Sequence, residues 1–141
     1  MPRMSEDEAF AFIAERPRTA KLATVNADGS PHVVPVWVAL DGHQLVFTVG
    51  VESKKHKALV RDPRVALVFD DETPPFSFVL VNGTVELSDD PDELLRWATT
   101  IGGRYMGADR ADEYGRRNAV PGEWLVRVTP TKVVGMADVA S

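Results

Sequence analysis

The sequence predicts a mainly β protein, a β-barrel with flanking helices. Strand-like runs follow one another in "TAKLATVNADGSPHVVPVWVALDGHQLVFTV", separated only by the turn sequences "NADGS" and "DGH". In such turns Gly or Asn adopts the positive φ that a tight hairpin needs. Because these first strands lack helical crossovers, we expect antiparallel pairing in a meander or Greek-key barrel rather than a doubly wound parallel sheet.

A short helix is predicted ahead of the first strand, in "SEDEAFAFIAERP". Ser5 can cap this helix, and the Glu8 side chain can return a hydrogen bond to the Ser5 amide. Pro17 ends it, because the residue before a proline is pushed out of the helical region. The middle strand of the meander is apolar on both faces, so we expect it to be covered on both sides. Pro35 within that strand lacks an amide donor, which indicates an edge, a bulge or a place where a ligand lies against the backbone.

The second half of the chain alternates further helices and strands. The patterns predict a helix over about residues 52–61, strands in "RVALVFDD" and "PFSFVLVNGTVELS", a helix that starts near residue 91, and a last strand in "EWLVRVTPTKVVGM". We expect a bulge or bend at Gly83, a weakened helix end at Gly102 and Gly103, and an interruption of the last strand at Pro130. The count is about six strands in a single domain over residues 1–141.

Charge and composition exclude several classes of function. With 16 basic and 21 acidic residues the net charge is -5, which argues against broad attraction to nucleic acid or to an anionic membrane. No cysteine is present, so the chain has no disulfide, thiolate nucleophile or cysteine-type zinc cluster. The longest apolar run, "HVVPVWVAL", is about half the ~20 residues needed to span a bilayer. We expect a soluble, cytoplasmic protein in which any anion site is local.

Positive charge is concentrated in one stretch, "VESKKHKALVRDPRV". One interpretation is a solvated helix face. The other starts from position, because the stretch lies where a strand ends and a helix begins, and amides at a helix N-terminus attract anions. The Ser53 hydroxyl and the lysines would turn such an end into a charge-assisted phosphate site. Lys55 and Lys57 are about 200° apart on a helix, so both reach one phosphate only if that turn is irregular.

The order of three segments resembles a known family. The segments "LATVNADGSPHVVPVW", "KKHKALVRDPRVAL" and "VNGTVEL" together are similar to the split β-barrel flavin and deazaflavin oxidoreductases, the superfamily around pyridoxamine-phosphate oxidase. Within it, the chain most resembles the small enzymes that use the deazaflavin coenzyme F420. The resemblance covers Ser5 to about Met136. It implies a homodimer with a cofactor groove between two chains, and hydride transfer between the deazaflavin and a small unsaturated organic substrate.

The same resemblance assigns residues to the two ends of the cofactor. It gives the phosphate to the strand end and helix start, with Lys55 as the best match to the family's phosphate-binding lysine. The residues implied there are Thr48, Val49, Ser53, Lys54, Lys55 and Lys57. It places the ring along the second strand, beside His32, Val33, Val34 and Pro35.

The sequence does not decide which group donates the proton or which role each aromatic residue has. His32 and Tyr105 are the candidate donors beside water, although His32 can equally be a surface residue at a strand start and Tyr105 an ordinary packing residue. Trp37 and Phe47 are expected in the core, because aromatic side chains usually fill a barrel interior. The resemblance implies that Phe76 and Phe78 lie in a strand that faces the partner chain. No catalytic triad, metal-ligand spacing or P-loop is found in the sequence. This agrees with a cofactor that carries the hydride itself.

Two rival hypotheses remain. The first is the same fold with FMN, as an oxidase or a reductase. The second is a non-catalytic protein that binds a flavin, a deazaflavin or haem. Coenzyme F420 is preferred because the quoted segments look more like that branch, and because a more basic phosphate pocket suits its longer anionic tail of lactate and glutamates.

Overall fold

A computed structural model describes residues 2–50 and 52–141, apart from the side chain of Lys54. The strands are β1 (Arg3–Met4), β2 (Ala20–Val25), β3 (Pro31–Val36), β4 (Ala39–Asp41), β5 (Gln44–Gly50), β6 (Arg64–Asp71), β7 (Ser77–Ser88) and β8 (Glu123–Met136). The helices are α1 (Glu6–Ala14), α2 (Lys54–Arg61), α3 (Pro91–Met106) and α4 (Ala111–Asn118), with a 3-10 turn over Ala108–Arg110.

The strands form one antiparallel sheet that curls into a split barrel. Its order is β3-β2-β6-β7-β8-β5-β4, with β1 paired to β8. The strands at the two ends of this order, β3 and β4, follow each other in the chain and are joined only by Trp37 and Val38. The chain therefore connects two sheet edges where a closed barrel would have a ladder of hydrogen bonds. The predicted class, a mainly β split barrel with flanking helices, is confirmed.

The barrel interior is filled by apolar side chains, and α1 closes one end of it. Phe47, Phe69 and Leu22 are fully buried there, and Phe10 and Ile13 of α1 belong to the same cluster. The predicted capping box is present. The Ser5 hydroxyl accepts from the Glu8 amide at 3.1 Å, and the Glu8 carboxylate accepts from the Ser5 amide at 2.8 Å. This pair of bonds fixes where α1 begins.

A second layer, made of α3 and α4, covers the outer face of β4, β5 and the start of β8. Leu94, Trp97 and Ile101 of α3 pack there against Val46 and Leu125. The prediction that Gly102 and Gly103 weaken the end of α3 is wrong, because the helix continues to Met106. The space that a side chain would need at Gly102 is taken by α4, so a Cβ there would lie 2.5 Å from the Tyr114 Cβ.

The middle strand of the predicted meander differs most from expectation. It divides at Trp37 and Val38 into β3, which pairs with β2, and β4, which pairs with β5. It is not covered on both sides, since Val33 is 60% exposed. Pro35 does lie on an edge strand, as predicted, and the register shift between Asn82 and Gly83 confirms the bulge. Because the predicted middle strand is divided into β3 and β4 and the short β1 is added, the sheet has 8 strands, whereas about six were predicted.

The last strand also departs from the prediction. β8 runs without a break through Pro130, which faces Gly83 at the bulge, where no regular ladder bond is required. No helix within residues 2–50 and 52–141 combines the length and the apolar character needed to cross a membrane.

Candidate cofactor site

A cavity of about 390 Å³ lies at the split of the barrel. We call it the first cavity. It lies between the end of β3 and β5, two strands near opposite ends of the sheet order. Residues of α3 and of the end of α4 cover it. Its lining residues are Thr19, Pro35, Val36, Trp37, Thr48, Lys55, Ile101, Asn118 and Glu123. The size falls within the range of ordinary ligand pockets.

Lys55 reaches the first cavity because α2 begins with a well-formed cap. Ser53 has extended backbone angles, its hydroxyl accepts from the His56 amide at 3.1 Å, and it donates to the Gly50 carbonyl at 2.7 Å. The helix is therefore regular from Lys54 onward, two residues later than predicted. The same two bonds occupy the Ser53 hydroxyl, which acts in this structure as a helix cap rather than as a donor to the cavity.

Lys57 lies at a different cavity, because two residues turn a regular helix by about 200°. This second cavity has a volume of about 460 Å³ and lies between α2 and the β2–β3 turn. Its lining residues are Asn26, Ala27, Asp28, Ser30, Lys57 and Arg61. The Arg61 guanidinium donates to the Val25 carbonyl at 2.9 Å and so ties α2 to the end of β2. The structure thus separates the two lysines that the sequence had grouped around one phosphate.

Glu123 introduces a carboxyl group into the first cavity. It is the first residue of β8 and pairs with Gly50 at the end of β5. The carboxyl lies against the Gly50 backbone, since a Cβ at that glycine would meet the Glu123 Oε1 at 3.3 Å. Burial raises the pKa of Glu123 above its ordinary value, and the positive charge of Lys55 opposes that shift. The first cavity therefore contains one lysine and one partly desolvated acid.

Trp37 forms an aromatic wall of the first cavity, which corrects the expectation that it lies in the core. It is half-buried, and its ring stacks on Tyr105 with centroids 5.0 Å apart and planes within 3°. The Tyr105 hydroxyl donates to the Arg18 carbonyl at 2.6 Å and accepts from the Val38 amide at 3.2 Å. Tyr105 is not among the residues lining the first cavity, and its hydroxyl proton is already engaged. Phe47, by contrast, lies in the core as predicted.

The residues predicted beside the ring are distributed over both faces of β3. Val33 and Pro35 share the exposed face of β3, where Pro35 lines the first cavity, whereas Val34 lies on the other face and packs toward the barrel core. His32 is half-buried near the start of β3 and does not line the first cavity. Alternation along a strand makes this division unavoidable.

Two of the residues predicted at the phosphate end have different surroundings. Thr48 lines the first cavity, while Val49, next to it on β5, is 2% exposed within the barrel core. The side chain of Lys54 lies outside the described part of the chain. Of the predicted set, the structure brings together Pro35, Thr48 and Lys55.

The acid of the first cavity and the arginine of the second were not predicted from the sequence. Glu123 could be found only by pairing the start of the last strand with Gly50, a contact between distant parts of the sequence. Arg61 had a local signal, because it lies four residues after Lys57 and therefore on the same helix face. Among the described residues no group of three or more His, Cys, Asp and Glu is arranged to hold a metal ion.

Comparison with known proteins identifies the family. A family profile described as pyridoxamine 5′-phosphate oxidase matches residues 5–137, so the chain belongs to this family of split barrels. None of the curated proteins compared with the chain matches it.

Solved structures agree with this assignment. A conserved hypothetical protein, Rv2991 from Mycobacterium tuberculosis, is 27% identical with a TM-score of 0.80, covering 92% of this chain and 82% of its own. A protein described as an F420 reductase is 30% identical with a TM-score of 0.67, covering 94% of this chain and 98% of its own. A heme binding protein from Mycobacterium smegmatis, 20% identical with a TM-score of 0.71, shares the fold over 96% of this chain and 55% of its own.

Proposed function

We propose that the protein is an oxidoreductase that binds coenzyme F420 and transfers a hydride between this deazaflavin and a small unsaturated organic substrate. The observation that carries the proposal is the first cavity, where Lys55 projects from the start of a helix toward a wall formed by Pro35 and Trp37. The likeness to an F420 reductase, at 30% identity over nearly the whole of both chains, supports the choice of cofactor.

The described residues fit the two ends of such a cofactor. The Lys55 ammonium and the Thr48 hydroxyl are suited to bind a phosphate, and a charge-assisted bond gives the lysine the larger share. Pro35 presents a backbone without an amide donor and Trp37 a flat apolar ring, which together suit one edge of a tricyclic ring system. The cofactor supplies the hydride when bound, and the protein positions it and excludes competing reactions.

The proton that completes the reduction comes from water or from His32 in this proposal. Of the two side chains considered from the sequence, Tyr105 already donates its hydroxyl proton to the Arg18 carbonyl. His32 lies on the strand assigned to the ring, half-buried and outside the first cavity.

The second cavity favours coenzyme F420 over FMN. Both cofactors carry a phosphate, but only the deazaflavin continues into an anionic tail of lactate and glutamates. Lys57 and Arg61 lie on one face of α2, the helix whose opposite face presents Lys55. A tail that leaves a phosphate held by Lys55 would meet these two positive side chains on passing around the helix, whereas FMN ends at the phosphate.

A homodimer is part of the same proposal, because the outer face of the sheet carries a row of apolar side chains. Residues of neighbouring strands that share this face by register include Ala23, Val33, Ala66, Val68, Leu80 and Val134. Val33 is 60% exposed there, and burying such a row against a second copy would remove it from water. Light scattering of the purified protein is expected to give the mass of two chains, and the mass of one chain would contradict this part.

The test of cofactor choice is a comparison of dissociation constants for coenzyme F420 and FMN, measured by fluorescence titration. We expect tighter binding of coenzyme F420. Lys55→Ala should weaken this binding at least several-fold, since a charge-assisted hydrogen bond contributes about 1.5–3 kcal/mol. Arg96→Ala, which removes an exposed positive charge of α3 outside both cavities, serves as the matched control and should leave the affinity unchanged.

Three results would overturn the proposal or part of it. Much tighter binding of FMN would favour the flavin enzyme of the same fold. Tight binding of flavin, deazaflavin or haem without turnover of any unsaturated substrate would favour the non-catalytic binder. Unchanged affinity in Lys55→Ala would refute the role of that lysine.

A further inference from the structure

The first cavity contains a feature that works against anion binding. Lys55 is the lysine among its lining residues, and Glu123 is the acid among them. No ion pair within 4.0 Å joins these two described side chains, so each presents its charge to the cavity as well as to the other. A dianion that approaches Lys55 would therefore also approach a carboxylate.

The position of Glu123 is fixed by the sheet rather than by a flexible loop. Its amide donates to the Val120 carbonyl at 3.0 Å, and β8 pairs from this residue onward with β5. The carboxyl lies against Gly50, where a side chain would crowd the Oε1 atom. The backbone therefore holds this residue at the cavity, and its carboxyl can move only by rotation of its own side chain.

Phosphate groups differ in the charge that they bring to such a cavity. A phosphomonoester carries about -1.5 to -2 charges at pH 7, because its second ionisation has a pKa near 6. A phosphodiester has no second acidic proton and keeps a single negative charge. At a fixed distance, the repulsion from a carboxylate rises in proportion to the charge of the phosphate.

We propose that Glu123 is a specificity residue that shifts the relative affinity of the first cavity from phosphomonoesters toward phosphodiesters. This inference rests on the proposed function in one respect, namely that Lys55 binds the phosphate of the cofactor. Lys55 attracts the doubly charged phosphate more strongly than the singly charged one, and the opposite charge of Glu123 works against that advantage. The acid thereby reduces the advantage that a cofactor ending in a phosphate would have over one whose phosphate continues into a further group.

The experiment separates phosphate charge from ring identity. The two ligands share one ring system, either flavin or deazaflavin, whichever binds the wild-type protein more tightly. One ligand has a free 5′-phosphate, and the other has the methyl ester of that phosphate. Dissociation constants are measured at pH 8 for the wild type, Glu123→Gln and Glu123→Asp. Glu52→Gln is the matched control, because it removes one negative charge from an exposed residue just before α2.

We expect the wild type to bind the free phosphate with at most a small advantage over its methyl ester, because Glu123 works against the stronger attraction of Lys55 for the dianion. Glu123→Gln should tighten binding of the free phosphate by about tenfold and of the ester by about threefold, so that the ratio shifts toward the free phosphate. Glu123→Asp should keep the wild-type ratio because it keeps the charge, and Glu52→Gln should change both affinities equally. An unchanged ratio in Glu123→Gln overturns the inference, as does an equal shift of the ratio in Glu52→Gln.

The outcomes also distinguish this inference from the proposed function. If FMN binds more tightly than coenzyme F420, the proposed cofactor is wrong, yet the ratio for the flavin phosphate and its ester still decides the role of Glu123. If coenzyme F420 is preferred and the ratio does not respond to Glu123→Gln, only the inference fails. If neither ring binds, both are overturned.

Discussion

The two cavities that flank α2 are built in different ways. The first draws its walls from β3, β5, α2, α3, α4 and the start of β8, which are far apart in the sequence. The second is formed by one turn and one helix face. The first has Lys55 opposed by Glu123, while the second has two basic side chains, Lys57 and Arg61, with Asp28 at its rim.

The two cavities differ because the helix α2 directs neighbouring lysines to different sides. Lys55 and Lys57 are separated by one residue, but a helix turns by about 100° per residue and sends them to opposite sides. A partly enclosed cavity with balanced charges favours discrimination among ligands. A more open cavity with an excess of positive charge favours general attraction to anions.

The first cavity depends on the close contact between α3 and α4, so the largest effect on stability is expected at Gly102. Gly102→Ala would place a Cβ 2.5 Å from the Tyr114 Cβ, an atom fixed to the α4 backbone that cannot swing aside. Alanine favours a helix over glycine by about 1 kcal/mol, whereas overpacking costs about 1–3 kcal/mol. Because a 2.5 Å approach to a backbone-fixed atom belongs at the upper end of that cost, we expect a net loss of about 1–2 kcal/mol in the free energy of unfolding, measured with urea.

The same substitution should also weaken cofactor binding several-fold, because α3 and α4 carry Ile101 and Asn118 of the first cavity. Thr100→Ala is the control, since it changes an exposed residue on the neighbouring turn of α3. Its stability and its cofactor affinity should stay near the wild-type values. A Gly102→Ala protein with wild-type stability would mean that α4 does not lie as close to α3 as described.

The parts of the fold that sequence reasoning predicted depend on local chemistry. The capping box at Ser5 and Glu8 is a pattern within one turn, and the bulge at Gly83 follows from the missing side chain within a strand. The edge position of Pro35 follows from its missing amide donor. Each of these signals is carried by a few consecutive residues.

The parts that were missed depend on contacts between distant residues. The division of the middle strand at Trp37 and Val38 follows from pairing with two different partners, which no local pattern encodes. Glu123 enters the first cavity because β8 pairs with β5. The resemblance to a family grouped the lysines by position along the chain, whereas the helix sends Lys55 and Lys57 to different cavities, as their separation of about 200° on a helix already indicated.

The second cavity should give the smallest effect, and it should depend on the length of the ligand. Lys57→Ala removes an exposed positive charge, and such surface interactions contribute about 0.2–1 kcal/mol. We expect the affinity for coenzyme F420 with several glutamates to fall by about two- to fivefold. The affinity for the deazaflavin phosphate without glutamates should not change, because it ends before the second cavity.

Lys55→Ala is the variant with which Lys57→Ala is compared. Loss of Lys55 should weaken both ligands equally, since both have the phosphate, whereas loss of Lys57 should weaken only the long one. Raising the salt concentration should reduce the Lys57 effect more than the Lys55 effect, because exposed charges are screened more strongly than partly buried ones. If Lys57→Ala weakened the short ligand as much as the long one, the two lysines would share one phosphate and the division between the cavities would be wrong.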